Sequence, residues 1–309
     1  MPSPPPSWHR AGSKRVCAEE ASPQLRPLNR RADRGATFGV LGDDRAMRAA
    51  SLLMACIACA LVGAARAQAI LQPEDLAAAY TKEVDRRLEL PPPEQAQYAL
   101  RLSRALAEAS APIERDQLVV LVDRDANVQA AMVWWLPVEG AAMWIGASPA
   151  STGRPSGFEH FETPLGVFDH SLENPDFRAE GTRNELGICG YGRKGMRVYD
   201  FGWVTGRRGW ASGEQLMRLQ LHATDPQRLE PRLGQRASKG CIRIPATMNT
   251  FVDRRGVLDA AYEDALAQGR RFWVLRPDRE PTPWSGRYLV VVDSQRSARP
   301  AWTAPMPAR

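Results

Sequence analysis

Cysteine is scarce in this chain, five in 309 residues, and three of the five (Cys17, Cys56 and Cys59) come before residue 60. Beyond them stand only Cys189 and Cys241, a spacing that matches no small disulfide-stapled scaffold. Their pairing with each other remains the structural alternative in an oxidising compartment. Long apolar runs are missing as well. The best candidate, Leu52 to Ala65, is shorter than the ~20 residues that a membrane-spanning helix needs. Most of the chain also lacks an excess of either charge. The formal balance is +6, but residues 1–67 hold ten Lys/Arg against five Asp/Glu, while the rest holds thirty-one against thirty. Basicity confined to the front end removes the main support for a nucleic-acid surface. No internal repeat is visible.

That front end has its own texture. Residues 1–46 are rich in Pro, Arg and Ser with no apolar period, and read as a misassigned or disordered extension. At Met47 the text becomes "MRAASLLMACIACALVGAARAQA": one basic residue, an apolar stretch, then Ala65-Arg66-Ala67. This is the layout of a secretory signal peptide over 47–67, cleaved after Ala67. The expectation is a protein exported to the periplasm, with no stable membrane span after processing.

A helical segment is expected over 68–114. Leu76, Tyr80, Val84 and Leu88 recur every fourth position, and Tyr98, Leu102 and Leu106 form a second stripe after a Pro-rich corner. An antiparallel helix pair is the simplest arrangement. From 115 to 293 the pattern turns to β, with "LVVLV", "VQAAMVWWL", "MWIGA", "TPLGVF", "RFWVL" and "RYLVVVD" as strand candidates and a helix over 257–268. The fold class is therefore mostly β with flanking helices, α+β. The tail 294–309 reads as disordered.

Two segments carry chemistry. In "LMRLQLHATDP", Met217, Leu219 and Leu221 alternate with Arg218, Gln220 and His222, which puts His222 at a strand end on the face turned away from the core. In "RASKGCIRIP", Ile242 and Ile244 face the core, leaving Cys241 and Arg243 on the open side, and Pro245 opens a helix. A thiol, an imidazole and cations on neighbouring strands make a nucleophile-and-base set. Lys239 and Arg243 would favour the thiolate by charge, and amides at the Gly240 turn would hold an oxyanion. Spacing alone leaves open an ordinary exposed His and a buried Cys.

"LHATDP", "LGQRASKGCIRIP" and the earlier "TPLGVF" together resemble the L,D-transpeptidase family with the YkuD-type catalytic domain, in the family's order and over roughly residues 115–293. The resemblance implies a β-sandwich or barrel catalytic domain. It makes Cys241 the nucleophile and His222 its base, with the Ala223 carbonyl orienting the imidazole. Amides around Lys239, Gly240 and Cys241 would bind the oxyanion, Ser238 matches the motif, and Arg243 would bind a substrate carboxylate. Ala223 stands where the family has Gly, and Lys239 where it has His. The implied reaction is transfer of a peptidoglycan stem peptide through a Cys thioester to an amine acceptor: a second stem, a D-amino acid or a wall-attached protein. The alternatives are an L,D-carboxypeptidase or hydrolase using the same thiol, or a catalytically silent wall-binding protein. This chemistry calls for no metal or organic cofactor.

Other residues read more plainly. His160 and His170 have no Cys or acidic partner at metal spacing and read as surface or supporting histidines. "GYGRKG" (190–195) lacks the strand-before, helix-after setting of a nucleotide loop and reads as a turn. Cys189 reads as a packed or bystander thiol, Trp203 and Trp210 as aromatic core or rim, and Thr163 and Gly166 as the floor of a cleft.

Overall fold

The computed structural model describes residues 72–306. The expected extension 1–46 and signal segment 47–67 lie outside them. Prolines open both early helices, α1 (Pro73–Glu83) and α2 (Pro92–Glu108), where a missing N–H costs nothing. The two do not form the expected pair. Leu76 and Tyr80 of α1 join one buried cluster, while Tyr98, Leu102 and Leu106 of α2 join another. Each helix covers β-structure because its single apolar stripe finds more buried partners there than on the other helix.

Nine strands follow among the described residues. The first sheet contains β1 (Gln117–Asp123), β2 (Ala130–Leu136), β3 (Met143–Pro149), β4 (Gly166–Asp169) and β9 (Tyr288–Val292), in the order β3-β2-β1-β9-β4. Only its β1–β9 pair is parallel. The continuous apolar run of β1 fits its place. Leu118, Val120 and Val122 enter the cluster shared with the second sheet, and Val119 and Leu121 the cluster under α2. The second sheet contains β5 (Phe177–Arg178), β6 (Arg197–Arg207), β7 (Glu214–Ala223) and β8 (Ile242–Ile244) in that order, with β7 and β8 parallel. Helices α3 (Ala246–Arg254) and α4 (Ala260–Ala267) lie between β8 and β9. The fold is α+β, with mixed parallel and antiparallel pairing and flanking helices, and the described residues fall within one compact unit.

Two expectations are corrected here. "RFWVL" is not a strand: residues 271–275 run through turns, Leu275 N–H bonds back to Phe272, and Trp273 is exposed. A short apolar run does not by itself distinguish a strand from a loop that drops one residue, here Val274, into the core. The tail is also ordered as far as it is described. Trp302 packs edge-on against Tyr98 at 5.9 Å, Arg296 pairs with Glu94, and Arg299 donates to the Gly234 carbonyl at 2.9 Å. A polar composition hid these anchors, because each needs a partner far away in sequence.

Candidate active site

His222 sits at the end of β7, directly paired with Val198 on β6 and with Arg243 on β8. Alternation holds on both strands: Met217, Leu219, Leu221, Ile242 and Ile244 are buried in the core, and His222, Cys241 and Arg243 occupy the other face. That face is less open than the sequence suggests. His222 is only 4% exposed, because the Tyr191 ring lies edge-on to it at 4.7 Å.

The imidazole has a defined tautomer. Nδ1 lies 2.5 Å from the Ala223 carbonyl, which accepts only if Nδ1 carries the proton. Nε2 is then left as the free base. Burial, against the Ala223 hydrogen bond and aided by the Arg243 charge, pushes the His222 pKa down to about 3. The ring is neutral throughout the physiological range.

Cys241 is a free, part-buried thiol, so it is not linked to Cys189. Its Sγ lies 3.7 Å from the Arg218 carbonyl and 4.0 Å from Gln220 Oε1. Burial pushes the thiol up to about 11 despite the Gln220 amide and the Arg243 charge, and the Asp200 carboxylate adds to the rise. The expected thiolate-favouring role of Lys239 is not seen. Its ammonium pairs with Glu159 at 3.0 Å on the exposed loop beside the turn.

The turn itself is braced from three sides. Gly240 adopts φ +136°, and a Cβ there would meet Met217 Cε at 2.7 Å. Ser238 Oγ donates to the Cys241 carbonyl at 2.5 Å and accepts from the Gly240 amide at 3.0 Å. The Gly240 amide is therefore occupied, a correction to its expected place among the oxyanion donors. Thr163, fully buried, donates to the Gly240 carbonyl at 2.7 Å and accepts from Gly153 N–H. This contact explains why the "TPLGVF" segment and the cysteine turn belong together. The Arg243 side chain gives one hydrogen bond, Nη1 to the Ala237 carbonyl at 3.2 Å, and its buried Nε has no partner among the described residues. Burial lowers its pKa.

Sequence reasoning missed a chain of polar groups beside the sulfur. Tyr191 donates to Gln220 Oε1 at 2.9 Å, Gln220 Nε2 donates to Asp200 at 2.9 Å, and Arg218 Nε grips both Asp200 oxygens. Gln220 and Arg218 were visible as the outward partners of His222; Tyr191 was hidden in an aperiodic loop. Gly192, at φ +85°, brings that loop so close to Ala223 that a Cβ would lie 2.9 Å from the Ala223 methyl.

The remaining candidates are structural. His170 is fully buried, bonded to the Leu258 carbonyl and to Asp176, whose other oxygen meets Arg197 at 2.7 Å. His160 lies beside the Phe158 carbonyl. Trp210 packs against Phe158 and Phe161, and Cys189 is buried. No family model matches the chain, and no curated protein matches it in sequence.

Proposed function

We propose that this protein is a cysteine-dependent acyltransferase of the L,D-transpeptidase kind, exported to the cell envelope and acting on peptidoglycan stem peptides, with the two sheets as its catalytic β-sandwich. The observation that carries this reading is one free thiol on the same sheet face as an imidazole whose Nδ1 is bonded to Ala223, leaving Nε2 available. In the proposed step Cys241 gives its proton to Nε2 as sulfur attacks the carbonyl between a diamino acid and a terminal D-residue. The C–N bond breaks, the amine departs with the proton from His222, and a thioester remains. An amine acceptor then attacks, gives its proton to His222, and forms a new amide while sulfur leaves and regains a proton. Water in place of the amine makes the same site a carboxypeptidase or hydrolase.

Because both shifts favour neutral partners, proton transfer accompanies attack instead of preceding it. The Cys241 amide, at the Gly240 turn, is the donor best placed for the oxyanion. Arg243, with its unpartnered Nε, suits a substrate carboxylate.

Purified muropeptides incubated with wild type, Cys241→Ala and His222→Ala test this. Wild type should give cross-linked, exchanged or trimmed products by mass. Cys241→Ala should give none, and His222→Ala less than about 1% of the wild-type rate. Unchanged products from Cys241→Ala would refute the assignment. A wild type that gives no product and no thioester would favour the silent wall-binding protein, which the raised thiol pKa keeps as the second reading.

A further inference from the structure

Two arginines with different surroundings stand near Cys241 on this sheet face. One, Arg243, stands in register with His222. The other is Arg218, whose carbonyl touches the sulfur and whose guanidinium carbon stands 5.8 Å from the Trp203 ring centroid. Arg218 spends Nε on Asp200, and its two Nη groups have no partner among the described residues. Alternation aligns Leu216, Arg218, Gln220 and His222 on one face of β7, and Trp203 is the cross-strand partner of Arg218. Trp203 is 63% exposed and Leu216 60% exposed. Two large apolar side chains left in water beside an unsatisfied cation, on the face that carries the thiol, have the chemistry of a ligand site.

Microscopic reversibility decides which part of a substrate lies there. The base that accepts the thiol proton also delivers it to the departing amine and later takes one from the incoming amine. Leaving group and acceptor therefore share the His222 side, next to Arg243. The acyl chain retained on sulfur extends the opposite way, over Arg218 and Trp203.

We propose that Trp203 and Arg218 form the subsite for the retained acyl donor, and that it selects a peptide carrying a free carboxylate beside an aliphatic stem. The carboxylate would take the two Nη groups of Arg218, and the stem would lie on Trp203 and Leu216. This deepens the acyl-transfer reading above and rests on it.

The test uses two synthetic tetrapeptide stems, one with free side carboxylates and one with the same groups as carboxamides. Thioester formation on Cys241 is followed by intact mass for wild type, Arg218→Gln, Arg218→Lys and Trp203→Ala. Wild type should acylate at least about tenfold faster, in kcat/KM, with the acidic stem, the scale of a charge-assisted hydrogen bond. Arg218→Gln should erase that preference and Arg218→Lys keep part of it. Trp203→Ala should raise the concentration of donor needed for half-maximal rate and leave that of a D-methionine acceptor unchanged. Equal wild-type rates with both stems, or a preference that survives Arg218→Gln, would overturn the subsite and leave acyl transfer standing. Absence of any thioester in wild type overturns the reading beneath it. Should Arg218→Gln fail to fold for want of its Asp200 bond, Trp203→Ala decides: a rise in acceptor requirement with donor unaffected reverses the assignment of sides.

Discussion

At the scale of single residues, the thiol and the imidazole on this sheet face are each neutral at rest. Burial drives their pKa values to about 11 and about 3, so the thiolate–imidazolium form is the minor one. Iodoacetamide labelling of Cys241 should therefore keep rising from pH 7 to pH 11. At pH 7 it should run about a hundredfold slower than a free cysteine, the thiolate fraction falling tenfold per unit of pKa. Arg243→Gln should move the profile further up, since its charge works against the burial. A plateau that begins near pH 6 would mean a preformed ion pair. The alternation in "LMRLQLH" made the common face of these groups legible in the sequence. Their protonation was not legible, because it depends on Tyr191 and on the enclosure of the sulfur, neither of which has a period.

At the scale of elements, local order was readable where one face of a strand or helix is buried. The buried strand β1, the stripe on α2 and the Pro245 stop all follow from spacing. Elements held by side-chain anchors were not readable. The tail is the clearest case: Arg296, Arg299 and Trp302 sit in a polar, Pro-containing segment, and their partners Glu94, Gly234 and Tyr98 lie far away in sequence. Trp302→Ala should cost about 2 kcal/mol, mostly lost apolar packing, and lower the thermal midpoint by several degrees. A change within about 0.5 kcal/mol, the range of an ordinary surface substitution, would show that the packing contributes nothing. "RFWVL" failed for the complementary reason: its hydrophobicity is real, but Trp273 spends it in solvent.

Across the whole molecule, two buried histidines act on stability in opposite directions with pH. His222 resists protonation down to about 3 when folded, whereas an unfolded chain takes that proton near 6.5. As pH falls below 6.5 the unfolded state binds more protons, and stability drops by roughly 3 kcal/mol at pH 4. For His170, burial opposes the charge but the Asp176 carboxylate outweighs it and holds the folded pKa up. Its stabilisation is fully present below the unfolded value and is lost as pH rises through the folded one. Burial also opposes the charge on Asp176, yet His170 and Arg197 hold its pKa down, so its contribution is present at neutral pH and disappears in strong acid. Thermal melting of His222→Asn between pH 7 and pH 4.5 should thus show a flat or rising midpoint on acidification where wild type declines. Parallel declines in the two proteins would refute this assignment.

The parallel pairing of β7 with β8 has a mechanical corollary. The base stands on the His222–Arg243 rung of one ladder and the thiol one residue before its first rung, Leu221–Ile242, so separating them widely means tearing backbone hydrogen bonds. The strands beneath these two side chains form a stiff frame. Any yielding needed to admit the proposed substrate has to come from the flanking loops, the one carrying Tyr191 and the one carrying Glu159. Amide hydrogen exchange should find those two loops fast while residues 219–223 and 242–244 stay slow.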